Sequence, residues 1–426
     1  MDKKKKKRKL NFRGYLILFL TGSLLILSGL LWYMLRTEHT VYYAGEILPY
    51  EGEGPANNKN QPAYTPAEWV MLEEELENEI PQQVSLVMVG DMLMHLKVTQ
   101  SGQMEDGTYN YDHIFANVKE DIQAADIALI NQEVILGGKE LGYSGYPMFN
   151  TAFELGDSIA DAGFDVVLHA TNHTMDKGEK GLMNCLDYWA QEHPDIAVIG
   201  ANRTREEQDE IYVYEKNGIR IAILNYTYGL NGLPMPAGMP FAVDMMEEDL
   251  MVRQLEEANR VADFVVVCPH WGIEYQTTES ANQHMWCDFF LEHGVDLVIG
   301  THPHVIQPVE WYEDEQGNRM LVYYSLGNFI NSTADSGNGV GKRILGAMAK
   351  VTIEKDKEGN VSISDYGVEP LITQIMRGPG NMTTYRLRDY TEELYATNQM
   401  KGRDPLFTIE STKQTCRDVF GDLYEE

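Results

Sequence analysis

Two histidines flank a proline in "VDLVIGTHPHVIQPVE", residues 295–310, where an apolar run ends. In an extended segment positions i and i+2 project to one face, so His302 and His304 would point the same way. Pro303 biases His302 towards that extended geometry. Two imidazoles on one face suit a bidentate metal site. Other apolar runs end similarly, in Asp91, in Asn131 and Glu133, in Asn172 and His173, in His270, and in Asn328. Taken singly, Asp91 after Gly90 and Asn172 read equally well as turn or cap residues. A lone His270 reads more readily as a hydrogen-bonded core or rim residue than as a ligand. Six runs delivering Asp, Glu, Asn and His together describe a converging site. Imidazole, carboxylate and amide oxygens in combination suit Mn, Fe or Zn better than Ca or Mg.

Positioning such a site requires strands that end at a common edge. From Val84 onward, short apolar runs suited to buried strands alternate with helical stretches. "VSLVMVGD" precedes "YDHIFANVKEDIQAAD", "GEKGLMNCLDYWAQEH" precedes "IAVIGA", and "SANQHMWCDFFLEHG" precedes "DLVIGTHPH". That alternation predicts an α/β fold, and in parallel sheets the carboxyl ends of the strands form the ligand crevice. Two hairpins, "IYVYEKNGIRIAILNY" turning at Asn217-Gly218 and "GAMAKVTIEKDKEGNVSISDYGVEPL", add antiparallel pairs. They imply a mixed sheet, or a second sheet packed on the first. Residues 376–426 read as helical segments without evident chemistry, and no internal repeat is visible.

The strings "GDMLMH", "NQE", "ATNHTMDKG", "PHWGIEY", "GTHPHVIQPVE" and "YSLGNFI", in this order, resemble the CapA family of capsule-synthesis proteins. That family is associated with poly-γ-glutamate production and is related to the calcineurin-like metallophosphatases. The resemblance spans roughly residues 84–373. It implies an α/β metallophosphatase-like sandwich of two mixed β-sheets flanked by helices, with one or two divalent transition-metal ions. Carried onto matching positions, it makes Asp91 the first ligand, Glu133 the bridging carboxylate and Asn172 an amide-oxygen ligand. His270, His302 and His304 complete the set. His173 takes the place of the group that protonates the leaving group, and Asp176 would orient its ring. Around this site, His169 reads as a supporting or core residue ahead of a ligand, Trp271 and Tyr275 could stack on a substrate or pack at the rim, and Glu274, Ser325 and Asn328 could line it. Leu93 stands where the metallophosphatase Asp-x-His pattern has histidine, with His95 two residues on. Glu133 replaces an Asp, and Thr171 stands before the ligand Asn172 in place of asparagine. These departures leave two-metal hydrolysis open and imply at least one metal position.

The N-terminus differs from everything after it. Residues 1–36 hold nine Lys/Arg and one Asp, a net charge of about +8, which leaves about −39 for the rest of a chain totalling −31. "YLILFLTGSLLILSGLLWYML", Tyr15 to Leu35, carries no charge and would span roughly 30 Å as a helix, the thickness of a bilayer core. Trp32, Tyr33 and Tyr15 sit near its ends, as interfacial aromatics do. The lysine cluster predicts a cytoplasmic N-terminus and an extracytoplasmic remainder. The run is long for a cleaved signal peptide, and Tyr42 spoils "VYYAGE" as a small-x-small cleavage site. The expected organisation is a cytoplasmic basic segment at 1–14 and a transmembrane anchor at 15–35. An extracytoplasmic linker and short helix follow at 36–82, then the α/β domain at 83–375 and a helical extension at 376–426. In the linker, Thr65 and Pro66 are placed to start the short helix. Four scattered cysteines make no disulfide scaffold, and the acidic body repels nucleic acid.

Three functions fit this reading. The first is a membrane-anchored extracytoplasmic component of poly-γ-glutamate capsule biosynthesis or export, working with other membrane subunits of the synthase on an anionic polymer. The second is a metal-dependent phosphoesterase acting on a cell-envelope substrate. The third is a non-catalytic scaffold ectodomain.

Overall fold

The computed structural model describes residues 82–376 and 382–425, together with the paired strands β1 (Tyr42–Tyr43) and β2 (Glu46–Ile47). Those two strands belong to a first compact unit, residues 1–74, and the second unit spans residues 75–426. The anchor expected at 15–35 lies outside the described residues, as does the helix expected after Thr65. Among the described residues no helix is long and apolar enough to cross a membrane.

The second unit is built on two mixed sheets, as the resemblance implied. In the larger, β3 (Gln82–Met92), β4 (Ile127–Asn131), β5 (Val166–Leu168) and β6 (Ala197–Ile199) run parallel in that order. In the smaller, β7 (Tyr212–Lys216) pairs antiparallel with β8 (Ile219–Thr227), and β9 (Phe264–His270) and β10 (Leu297–Ile299) follow in parallel. β11 (Val309–Glu313) and β12 (Arg319–Tyr323) complete that sheet, β12 lying parallel to β10. β13 (Asn328–Ile330) returns to the larger sheet beside the end of β3. There β14 (Leu345–Lys355), β15 (Val361–Ile375) and β16 (Met382–Arg386) form an antiparallel flank. The turn at Asn217-Gly218 has positive φ at both residues, which matches the twist of a tight hairpin.

Side-chain alternation explains the layering. Ile221, Val266, Cys268, Leu297 and Leu321 on the smaller sheet share a buried core with Met88, Val89 and Leu129 on the larger one. Their sequence neighbours Ala222, Val265, Val267 and Val298 face the other way, against the helices Glu248–Val261 and Ala281–Glu292. Both faces of β9 are therefore apolar, which is why "FVVVC" reads as a continuous run. The second of those helices begins with a reciprocal cap between Ser280 and Gln283. All four cysteines are buried and free.

One segment departs from expectation. Residues 376–426 are not helical throughout, because β16 pairs with β15 along Leu371–Ile375. Met382, Leu387, Met400, Phe407 and Cys416 also join the main buried core, so this segment is part of the domain. At the end of β3 the backbone passes so close to β13 that a Cβ on Gly90 would overlap the carbonyl oxygen of Gly327. That carbonyl accepts from the amide of Asp91 at 2.9 Å.

Candidate metal centre

Asp91, Glu133, Asn172, His173, His270, His302, His304 and Asn328 are all buried; all but Asn328, the first residue of β13, lie at the carboxyl ends of strands or in the loops that follow. The larger sheet supplies Asp91 from β3, Glu133 two residues beyond β4, Asn172 and His173 from the turn after β5, and Asn328 from β13. The smaller sheet supplies His270 from β9, and His302 and His304 from the loop after β10.

Glu133, His302 and His304 bring one potential ligand atom each to within 4.8 Å of one another. His304 Nε2 lies 3.6 Å from Glu133 Oε1, and His270 Nε2 lies 3.8 Å from the same oxygen. His270 Nε2 is also 3.0 Å from Asn172 Oδ1, which joins Asn172 to the cluster. Asp91 sits on the far side of the His304 ring. Its Oδ2 is 3.1 Å from His304 Nδ1, and Asn328 Oδ1 is 3.1 Å from the same nitrogen. Asn328 Nδ2 donates to the carbonyls of His304 and Arg343, which fixes the amide orientation and leaves Oδ1 as the acceptor. Facing two acceptors, Nδ1 carries the proton and Nε2 is turned towards Glu133, so Asp91 and Asn328 fix the ring that could bind an ion.

His302 and His304 do not reach this arrangement through an extended segment. Their φ angles are +99° and +58°, both left-handed, and such conformations cost about 1–3 kcal/mol each at a non-glycine residue. The amide of His302 is drawn in to donate to both oxygens of Asp91 at 3.3 Å, and that contact helps to hold the turn. The two rings still converge, but by a strained loop and not by strand alternation.

The electrostatics favour a cation at this cluster. Both carboxyl oxygens of Glu133 are buried without a hydrogen-bond partner, as are His302 Nδ1 and Asn131 Oδ1. Burial, with the negative charge of Asp91 adding to it, pushes the Glu133 carboxyl well above its usual range despite the opposing field of His304. Burial drives His270 and His302 well below the usual imidazole range, and the neighbouring histidines add to the shift. For His304, burial pulls downward, but Glu133 and the hydrogen bond to Asp91 outweigh it and raise the ring to about 9. A buried carboxylate with no donor is costly, and a divalent ion among these nitrogens and oxygens would satisfy it. The residues fit such an ion.

His173 stands beside this cluster. Its Nδ1 donates to Asp176 Oδ2 at 2.8 Å, and Asp176 is itself held by the amide of Phe149 at 2.6 Å. The ring packs edge-on against Phe149, and its Nε2 lies 3.5 Å from Asn231 Nδ2. Leu93 is buried, and His95 lies close enough to His304 and His173 for their charges to lower it; with burial as the main cause it falls to about 4.

Several residues expected to line the site do not. Trp271 is fully buried in the core of the smaller sheet, with Nε1 donating to the carbonyl of Tyr324. It follows His270 directly, so strand alternation turns it to the opposite face. His169 is buried too, its Nδ1 bonded to the carbonyl of Gln132 and burial lowering it to about 4. Ser325 Oγ is spent on the carbonyl of Val305, bracing the histidine loop from behind. Glu274 and Tyr275 do stand at the exposed rim of the cluster: the charge of Glu274 acts on Glu133 and His304, and Tyr275, under the guanidinium of Arg343, is 6.0 Å from the His304 ring. The sequence reading missed Tyr228 and Asn231. The Tyr228 ring is 4.6 Å from His302, and Asn231 Oδ1 is 3.3 Å from Asn172 Nδ2. Both lie in "TYGLNGLPMPAGMPF", a Gly/Pro-rich stretch without periodicity; only its position directly after β8 could have pointed to them.

The sequence profile of the bacterial capsule synthesis protein PGA_cap matches residues 85–333, a span that holds every residue of the cluster. The chain belongs to this family. Over 258 residues it is 29% identical to the capsule biosynthesis protein CapA of Bacillus anthracis, covering 58% of this chain and 60% of that one. Over 174 residues it is 33% identical to the PGA biosynthesis protein CapA of Bacillus subtilis (strain 168), covering 40% and 44%. The chain thus matches less than two thirds of the length of either relative. Among solved structures, the NAD nucleotidase of Haemophilus influenzae superposes with a TM-score of 0.44 at 11% identity, over 82% of this chain and 65% of that one. A likeness this slight carries no argument about this member of the PGA_cap family.

Proposed function

We propose that this chain is a membrane-anchored, extracytoplasmic component of poly-γ-glutamate capsule biosynthesis or export whose domain holds a divalent transition metal, Mn, Fe or Zn. Membership of the capsule synthesis family supports the biological role, and the basic, apolar N-terminus supports the anchor and its orientation. The observation that carries the metal is the Glu133 carboxyl, buried without a partner and facing His270, His302 and His304. A bound divalent ion would supply Lewis acidity and neutralise anionic oxygens. The acidic body repels polyanions broadly, so a carboxylate polymer would be gripped locally, at this cluster. Its partners would be the other membrane subunits of the synthase.

The test is the metal content of the full chain purified in detergent, beside His302→Ala and His304→Ala. Near-stoichiometric transition metal in the wild type and its loss in both variants is the expected result. A wild type without metal after growth in Mn, Fe and Zn would overturn the reading and leave the scaffold role.

One observation favours hydrolysis of a phosphoester as a second reading. His173 holds its Nδ1 proton against Asp176, which leaves Nε2 to carry a second proton for a departing alkoxide. Asn231 Nδ2 lies 3.5 Å from that nitrogen and would help to orient a substrate there. Cleavage of bis(p-nitrophenyl) phosphate by the metal-loaded chain, lost in His173→Asn, would support an active phosphoesterase. A loaded chain that leaves this diester intact would weigh for polymer handling.

A further inference from the structure

A second cleft shares no residue with the metal centre. It measures about 340 Å³, within the range of small-molecule sites. It opens between the outer strands of the two sheets, where β6 contributes Ala197–Ile199 and Tyr212 begins β7. Leu186 and Trp189, from the helix Gly178–Glu192, form part of an apolar wall.

The polar lining includes donors in Asn202, Arg203 and Tyr212, but its buried atom without a partner is an acceptor. Gln254 is buried, and its Nε2 donates to the carbonyl of Gln208 at 2.6 Å. That bond settles which end of the amide is nitrogen. Its Oε1 is buried and has no partner. Beside it, Asp244 is buried and accepts from Gln208 Nε2 at 2.8 Å and Asn202 Nδ2 at 2.9 Å, both on Oδ1. Burial raises the Asp244 carboxyl to about 7. Glu207 and Glu210 add carboxylates, and the one cation in the lining, Arg203, is already engaged with Asp187 and Glu207. An anion would meet three carboxylates and a guanidinium already in use. A bare metal ion would leave the apolar wall wet. An ammonium offers three donors and a positive charge to these acceptors, and an aliphatic body covers the wall.

We propose that this cleft binds a protonated primary amine on a short aliphatic chain, its ammonium held by Asp244 and Gln254 Oε1 and its chain against Leu186 and Trp189. An ammonium–carboxylate hydrogen bond in a buried setting is among the stronger polar contacts.

Calorimetric titration of the full chain with 1,5-diaminopentane tests this, with 1,5-pentanediol and glutarate as isosteric controls. The diamine is expected to bind saturably, and both controls much more weakly. Asp244→Asn should weaken diamine binding by about 10-fold, the equivalent of one charge-assisted hydrogen bond. The substituted amide can still accept from Asn202 and Gln208, so the fold should persist. Glu207→Gln, outside the buried network, should weaken it less. His302→Ala should leave diamine binding unchanged, which separates this site from the metal centre whatever the fate of that reading. Diol or glutarate binding as tightly as the diamine, no saturable diamine binding at millimolar concentration, or a diamine affinity indifferent to Asp244→Asn would each overturn the proposal.

Discussion

The two sheets contribute unlike halves to one site. The larger sheet brings oxygen, from Asp91, Glu133, Asn172 and Asn328, and the smaller brings nitrogen, from His270, His302 and His304. The oxygen half is the less satisfied: Glu133 has no hydrogen-bond donor on either carboxyl oxygen, whereas in the nitrogen half His302 Nδ1 lacks a partner but both nitrogens of His270 have one, in Thr301 Oγ1 and Asn172 Oδ1. Neither half is a good binding site alone. Buried carboxylates without a counter-charge are expensive, and neutral imidazoles pushed together by burial gain little from one another. The centre is therefore a property of the sheet–sheet interface, whose apolar core sets the distance between the halves.

This contrast can be broken one contribution at a time. Glu133→Gln keeps the shape and removes the charge from the oxygen half; metal affinity measured by competition with a chelating dye should fall by more than ~100-fold, beyond the range of supporting residues. If affinity is kept, the oxygen half does not bind the ion. His304→Ala removes one ligand from the nitrogen half and should cost about 100-fold in the same titration. Asn328→Ala leaves every ligand atom in place but frees the His304 ring from one of its two anchors; about 10-fold is expected, and an unchanged affinity would mean Asp91 holds the ring unaided. His173→Asn should leave metal affinity as it is, because Nε2 lies outside the converging set. If the chain hydrolyses phosphodiesters, the same variant should cost about 100-fold in turnover, the contribution of one general acid.

Much of this was legible in the sequence, and the reason is strand geometry. Apolar runs that end in Asp91, Glu133 and Asn172, and others that end in His270 and His304, announce a polar edge on each sheet, because parallel strands in one sheet end on the same side; the meeting of the two edges is a matter of sheet packing. The alternation rule would also have placed Trp271, which must face away from the site if His270 faces into it. What could not be read was loop geometry. Extended backbone was the natural expectation for "HPH", yet both histidines adopt positive φ, held by the hydrogen bonds of Asp91 and Asn328, which come from distant parts of the chain. Tyr228 and Asn231 were invisible for a related reason. Their loop has no periodicity to reveal which side chains fold back over the cluster. The Glu133 environment was equally hidden, since composition shows a carboxylate but not the lack of donors around it.

The close passage of Gly90 against Gly327 bears on how such a centre could be tuned. Asp91 and Asn328 each follow one of these glycines, and both grip the same imidazole nitrogen. The thickness of two bare backbones therefore sets the span of that grip. A single methyl group on Gly90 would press on the Gly327 carbonyl, push the two anchors apart and shift the His304 ring without altering any ligand, whereas one on Gly327 would meet Leu345 and the Val305–Ile306 backbone. "GD" and "GN" here work as a spacer as much as a source of polar atoms, and ion preference could drift through that spacer while every coordinating side chain stays the same.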